Sequence, residues 1–437
     1  MVNFKKLFLI SASAVTLMST AFAAEVKTEK MPVVSDLEVK LSGFAHFQSA
    51  YRNQSKLTSE EKNLSHNRKD FAFYNQTAMA ADVSNKVEEV KYGGKIVLVP
   101  TAKRKGGVSY NGSHMYVESD FGKVELGSPI PPSSVMMIEG ETIIAGTADW
   151  DDYADFTPSY LQGNTNAKPS FATFAEFFLD SKLTTKLDNR KYSSEPARSI
   201  VYYTPKFDFG GSTKIQVGIS YIPDSSNTGA DNPSSHSSGI DEIIVSSDEI
   251  HRFKIDRTVK DAISGGVCLE QNFADGVDMK IAVTGEYGKS AGKAKRFAKE
   301  ADKTPNASFS LSNLRTFNIG AVLNVGNFSY AGSFGSLGKS LTTPEFHKTG
   351  RKTDYYSGAI AYKQGPFSTS VAYFKSNQFK NTVDAVTIGA DYQVVPGLKP
   401  YAELSGFSLK GRPEFDSKAL KKKTRGTVAI VGAKLSL

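Results

Sequence analysis

The stretch TDYYSGAIAYKQGPFSTSVAYFKS, residues 353–376, carries the pattern that decides the fold. Tyr356 and Ile360 alternate with small or polar residues before the turn at 364–366, and Val371 and Tyr373 do so after it. Period-two alternation puts one set on each face of a strand, which predicts a β-hairpin with one apolar face and one small, polar face. Each arm has about ten residues, enough for a tilted strand to cross a bilayer. A soluble sandwich would turn the apolar face inward, whereas a membrane barrel turns it toward lipid.

The same alternation recurs from residue 37 onward and favours the membrane barrel. In the first strand Leu37, Val39 and Leu41 share one face. Counting this strand, about sixteen strands with the same alternation follow one another to the C-terminus. Short turns rich in Gly, Asp, Asn and Pro alternate with longer connections such as 223–252 and 289–311. An even strand count with this asymmetry is typical of outer-membrane barrels. We therefore predict an all-β fold: a transmembrane antiparallel β-barrel of about sixteen strands, with long outer loops, short periplasmic turns and an aqueous channel.

The N-terminus predicts export. Lys5 and Lys6 precede an apolar run at 7–18, and Ala21-Phe22-Ala23 forms a small-residue cleavage site. These are the parts of a secretory signal peptide, which we assign to residues 1–23, leaving 24–437 as a single barrel. No later stretch approaches the roughly 18 apolar residues of a spanning helix. We expect a protein exported through the periplasm to the outer membrane.

Composition argues against several other classes of function. The formal net charge of +8 includes the two signal-peptide lysines, and no basic stripe with interleaved aromatics predicts nucleic-acid binding. Cys268 is the only cysteine, which excludes an intramolecular disulfide framework. The six histidines show no H-E-x-x-H spacing, and no G-x-S-x-G occurs. We predict no metal, no cofactor and no enzymatic activity.

One hairpin resembles a known family. The stretch SHMYVESDFGKVELG, residues 113–127, is similar to the fourth-to-fifth strand hairpin of the Gram-negative general porins. The whole mature chain resembles these porins as a pattern: a signal peptide, about sixteen alternating strands, an enlarged third loop and a C-terminal strand. The chain departs from the family at Ser128 and near Ser113, where general porins commonly carry Arg, and at Leu437, where they end in Phe.

The resemblance implies where the pore is narrowest. In general porins the third loop folds into the lumen, so the loop at 129–196 is expected to fold inward, and its charges would set the field felt by permeating ions. A short amphipathic helix is predicted near 171–183. The alternative is an acidic loop on the outer surface. The expected acidic constriction residues are Glu139, Glu141, Asp149, Asp151 and Asp152; the expected basic wall residues are Lys40 and Arg52 on strand one and Lys91 and Lys95 on strand three.

The resemblance also implies function and partners. We expect an outer-membrane porin for passive diffusion of small hydrophilic solutes and ions, in contact with outer-membrane lipid and assembled as a homotrimer. Two alternatives stay open. The positive charge balance and the basic wall residues favour an anion- or phosphate-selective channel. The long loops at 129–196 and 223–252 favour a surface protein that binds a host or partner, with the barrel as carrier.

Overall fold

The protein folds into two antiparallel sheets in a computed structural model, one of them closed. The structure describes residues 37–54, 70–100, 108–146, 196–227, 240–246, 250–273, 276–297, 305, 307–342, 353–378, 381–410 and 423–436. The strands are β1 Glu38–Gln54, β2 Phe71–Val87, β3 Val90–Pro100, β4 Val108–Ser119, β5 Gly122–Gly127, β6 Ser199–Tyr203, β7 Phe207–Phe209, β8 Thr213–Asp224, β9 Ile240–Ser246, β10 Ile250–Asp256, β11 Val259–Asn272, β12 Val277–Ser290, β13 Lys293–Phe297, β14 Ala307–Ser310, β15 Leu314–Val325, β16 Phe328–Gly338, β17 Thr353–Gln364, β18 Phe367–Gln378, β19 Asn381–Tyr392, β20 Leu398–Lys410 and β21 Lys423–Ser436.

The larger sheet closes because its first strand pairs with its last. β1 is bonded to β2 on one side and to β21 on the other, with Phe44 opposite Ser436 and Gln54 opposite Gly426. β6 and the short β7 both pair with β8 and together occupy one place in the ring. Among the described residues the ring therefore holds sixteen strands, which confirms the predicted antiparallel barrel. Each described strand of the ring has a neighbour on both sides, so these strands leave no free edge strand, as a sheet surrounded by lipid requires.

The hairpin at 353–376 has the two faces that its sequence predicts. Ile360 and Val371 are directly opposite each other on β17 and β18 and are 53% and 50% exposed. Their neighbours Ala359 and Ala372 also pair, but these two side chains are buried inside the barrel. Apolar side chains on the outside are stable in lipid and would be unfavourable in water.

Exposed aromatic residues concentrate near both ends of the outer surface, where interfacial girdles of membrane barrels lie. Near the short turns they are Phe121, Phe209, Phe328, Phe367 and Tyr392, and near the longer connections they are Tyr51, Phe73, Tyr221, Tyr287 and Tyr356.

The connections alternate in length, as predicted, with one exception. Short turns join β2 to β3, β4 to β5, β7 to β8, β11 to β12, β15 to β16, β17 to β18 and β19 to β20. The connections at the other end are longer, apart from the one between β18 and β19 at 379–380. In the part of the chain that the structure describes, no helix is long and apolar enough to cross a membrane.

The second sheet is a feature that the sequence pattern does not predict. Where the sequence predicts plain loops at 223–252 and 289–311, the structure has β9, β10, β13 and β14 in the order β14-β13-β10-β9. β10 pairs with β13 across the two connections, with Phe253 opposite Arg296. This pairing joins segments distant in sequence, so local alternation carries little signal for it. The predicted signal peptide, the predicted helix near 171–183 and Leu437 lie outside the described residues.

Candidate functional site

The beginning of the third long connection lies against the inner wall of the barrel. We call residues 129–146 the loop segment. It contains a single helical turn, α1 Pro132–Val135, which contacts β8, β11 and β12, and a 3₁₀ turn, Gly140–Ile143, which contacts β16, β17 and β18. The loop segment therefore passes across the inner faces of successive strands around one half of the ring.

A buried cluster of polar side chains anchors the start of the loop segment. The Ser133 hydroxyl donates to Glu286 Oε1 at 2.8 Å, and the Ser264 hydroxyl donates to Ser133 Oγ at 2.7 Å. The backbone amide of Ser133 donates to Ser264 Oγ at 3.0 Å. Ser264 is on β11 and Glu286 on β12, and all three residues are buried. Hydrogen bonds to a carboxylate are stronger than neutral ones, so this cluster fixes α1 to the wall.

Three consecutive wall strands hold the end of the loop segment through its backbone. The amide of Gly140 donates to Ser357 Oγ on β17 at 2.8 Å, and the amide of Ala145 donates to Ser370 Oγ on β18 at 2.8 Å. The amide of Gly146 donates to Asp391 Oδ2 on β19 at 2.7 Å. Asp391 also accepts from Lys399 Nζ at 3.1 Å. Wall side chains thus satisfy amides that would otherwise be buried without a partner.

Apolar contacts beneath the loop segment add to these hydrogen bonds. Met136 packs in a buried cluster with Cys268, and Ile138 packs with Ala282 and Val322. Ile144 belongs to another buried cluster, which includes Phe374. Burying a side chain of this size contributes about 1.5–3 kcal/mol relative to leaving it in water. The loop segment is therefore an integral part of the barrel interior.

The predicted basic residues share the inward face of β1 and β3. On β1, Lys40 and Arg52 occupy the same face as buried Gln48 and Ala50, and the exposed apolar residues Val39 and Leu41 occupy the other; Arg52 is 6% exposed. Lys91 and Lys95 are partly exposed on β3. Glu118 is cross-strand from Lys91, and His114 is cross-strand from Lys95.

The strand order places the basic residues of β3 across the barrel from the loop segment. In the ring of sixteen, β2, β3, β4 and β5 stand eight places from β15, β16, β17 and β18. The 3₁₀ turn packs on β16, β17 and β18, and so lies across the barrel from β3, β4 and β5.

The predicted acidic residues have different surroundings. Glu139 is 3% exposed, and its amide donates to Thr142 Oγ1 at 3.1 Å at the start of the 3₁₀ turn. Glu141 is partly exposed on that turn. Asp149, Asp151 and Asp152 lie outside the described residues.

The inner wall also carries charged groups beyond the predicted acidic and basic residues. Glu125 on β5 accepts from Lys123 Nζ at 2.6 Å and lies 3.8 Å from His114 Nε2 on β4. These residues belong to the porin-like hairpin at 113–127, and their period-two register marks them as facing inward. The alternation along the hairpin was enough to predict this, because residues 114, 123 and 125 lie on the same face of the sheet as Glu118.

A second inward group lies closer to the short turns. Glu270 on β11 is bonded to Lys206 Nζ at 2.8 Å and to Lys280 Nζ at 3.2 Å. Within the described ranges, no group of three or more His, Cys, Asp or Glu side chains is arranged to hold a metal ion.

Comparison with known proteins identifies the family. The model of the Gram-negative porin family matches residues 11–411, which is nearly the whole chain. The chain belongs to the Gram-negative porin family. Family and fold together make this protein a channel of the outer membrane of Gram-negative bacteria, with lipid around its outer surface, and point away from an enzyme.

Relatives of this porin are similar over their full length. An uncharacterized protein of Rickettsia bellii (strain RML369-C) is 44% identical over 446 residues and an uncharacterized protein of Rickettsia felis is 42% identical over 446 residues; the alignments cover 99% and 98% of this porin and 99% of each relative. Among solved structures, the anion-selective porin from Comamonas acidovorans superposes with a TM-score of 0.52 at 15% identity, covering 92% of this porin and 100% of that chain. At that identity the likeness concerns the fold alone.

Proposed function

We propose that this porin is a water-filled channel for passive diffusion of small hydrophilic solutes and ions. The observation that carries the proposal is the position of the loop segment, which is bonded to one half of the inner wall and leaves the inward face of β2–β5 across the barrel from it. A sixteen-stranded barrel encloses more space than its own side chains fill. Solutes would pass between the loop segment and the facing wall, where charged side chains keep the passage polar.

Two measurements on the refolded protein test this proposal. In planar bilayers, single-channel conductance should rise in proportion to the conductivity of the bath, since a wide aqueous pore conducts like the solution that fills it. Proteoliposomes should swell in sugars at rates that fall with sugar size. Absence of conductance, or conductance that saturates at low salt, would reject a general diffusion pore.

Anion preference is a second candidate, favoured by the charges of the inner wall. Basic side chains outnumber carboxylates on the inward faces of β1–β5: Lys40, Arg52, Lys86, Lys91, Lys95 and Lys123 against Glu38, Asp82, Glu118 and Glu125. Glu139 is also buried against the wall, which limits its influence on ions in the lumen. A reversal potential in a KCl gradient tests this candidate, and a clear preference for K⁺ would exclude it.

A role in surface binding is a third candidate, favoured by the second sheet. β9, β10, β13 and β14 form a sheet of their own within two of the longer connections, which is more structure than a plain loop needs. If the sheet binds a host or partner, replacing residues 240–256 with a short Gly/Ser linker should abolish that binding while leaving conductance intact. Retained binding would exclude this role for the sheet.

The proposed assembly is a homotrimer. Several outward residues on adjoining strands of one side of the barrel are small: Ala402 and Gly406 on β20, Ala429 and Ala433 on β21, and Gly43 and Ala45 on β1. Small side chains let two barrels approach closely in lipid. Cross-linking in mild detergent should yield a three-chain species, and a species of one chain alone would exclude the trimer.

A further inference from the structure

Two glycines of the inner wall meet the backbone of the loop segment directly. Gly320 is an inward position of β15, between Asn318 and Val322, and a β-carbon at this site would lie 2.8 Å from the carbonyl carbon of Ile138. Gly389 is an inward position of β19, and a β-carbon there would lie 2.5 Å from the carbonyl oxygen of Ala145. Real β-carbons essentially never approach other atoms this closely, so each contact depends on the missing side chain.

The loop segment is recessed at other points of its course as well. Gly140 lies flush with β17, since a β-carbon on it would be 3.0 Å from the backbone nitrogen of Gly358. The side chain of Met136 fills the space above Gly218 and Gly266 on β8 and β11. From α1 to Gly146, the loop segment therefore lies in a shallow groove of the wall that glycines make possible.

The wall cannot move aside at Gly320 and Gly389, because both are in the middle of paired strands. Gly320 is opposite Ala282 on one side and Ser333 on the other, and Gly389 is opposite Ser370 and Glu403. The atoms met by an added β-carbon belong to the loop backbone and cannot escape by changing rotamer. The free direction is away from the wall, toward the lumen.

We propose that Gly320 and Gly389 set the size limit of the pore, by letting the loop segment sit deep against the wall. This inference rests on the proposed diffusion function. Any side chain at either position displaces the loop backbone toward the facing strands and narrows the passage. The two glycines act independently, since Gly320 adjoins Ile138 and Gly389 adjoins Ala145, at different points of the loop segment.

The test compares Gly320→Ala, Gly389→Ala and the double variant with the unmodified porin. Single-channel conductance is measured in KCl, and the exclusion limit is measured with polyethylene glycols of graded size. Each single variant should lower the conductance and exclude smaller polymers, and the double variant should show the larger loss. The matched control is Gly332→Ala on the outward face of β16, where an added β-carbon would be in ordinary van der Waals contact, 3.6 Å from the carbonyl oxygen of Ser357; its conductance should equal that of the unmodified porin.

The diffusion function and the size-limit inference are overturned by different results. A porin without any conductance overturns the diffusion function itself. A conducting porin whose Gly320→Ala and Gly389→Ala variants match Gly332→Ala in conductance and exclusion limit overturns the size-limit inference. If a variant does not fold, as judged by sheet content from circular dichroism in micelles, Gly266→Ala replaces it. There a β-carbon would lie 3.0 Å from Thr284 Cγ2 and 3.2 Å from Met136 Cβ. A smaller but measurable loss of conductance is expected, and no loss would overturn the inference.

Discussion

The amide of Ala145 donates a hydrogen bond to Ser370 Oγ at 2.8 Å, although 225 positions separate the two residues in sequence. The next amide, that of Gly146, is bonded to Asp391 on the neighbouring strand. These bonds join the loop segment to β18 and β19 deep inside the barrel, so the loop and the wall form one structural unit.

Removing the Ser370 hydroxyl should destabilise the protein. Ser370→Ala leaves the buried amide of Ala145 without its acceptor, which costs about 1–3 kcal/mol. The measurement is the free energy of unfolding in urea for protein inserted in lipid vesicles. Ser368→Ala is the matched control on the same strand and face, where the side chain is partly exposed, and a change below about 0.5 kcal/mol is expected. Equal losses in both variants would contradict this role for Ser370.

The two glutamates of the loop segment should differ in their effect on selectivity. Glu141→Gln should shift the reversal potential in a KCl gradient toward anions, because Glu141 is partly exposed on the 3₁₀ turn inside the barrel and its charge would act on passing ions. Glu139→Gln should shift it less, since Glu139 is buried at the start of the 3₁₀ turn. If neutralising both leaves selectivity unchanged, neither residue belongs to the constriction.

The lysines of β3 should act in the opposite direction. Lys91→Gln combined with Lys95→Gln removes two positive charges from the inward face across from the loop segment, so the reversal potential should move toward cations. Lys289→Gln is the control, because Lys289 is on β12 with its side chain 66% exposed and paired with Asp261 at 3.3 Å. Removing that charge should have the smaller effect per charge, owing to screening by salt. An equal effect per charge would argue against a lumen role for Lys91 and Lys95.

Charge should be tolerated on one face of β17 and not on the other. Ile360→Arg puts a charge on the lipid-facing surface and should lower the free energy of unfolding by up to about 2–4 kcal/mol, depending on its depth in the bilayer. Ala361→Arg, one residue away on the lumen side, should affect stability less and conductance more. Vesicle unfolding and single-channel recording check both variants, and the reverse ranking would contradict the assigned faces.

Much of the barrel could be predicted because alternation is a local property of each strand. Whether Ile360 or Ala361 faces lipid follows from a period of two, and the short turns follow from residues such as Gly365 and Pro366. The inward faces of Lys40, Arg52, Lys91 and Lys95 follow from the same register. The second sheet could not be predicted this way, since β10 and β13 come from different connections.

The sequence by itself determined the strand count, the two faces of each strand and the basic character of the wall at β1 and β3, because each depends on residues only a few positions apart. Only the tertiary structure decided that Glu139 is buried while Glu141 remains partly exposed, and that Gly320 and Gly389 contact the loop segment. Those outcomes depend on where closure of the ring brings distant strands against residues 129–146, and no local pattern encodes that meeting.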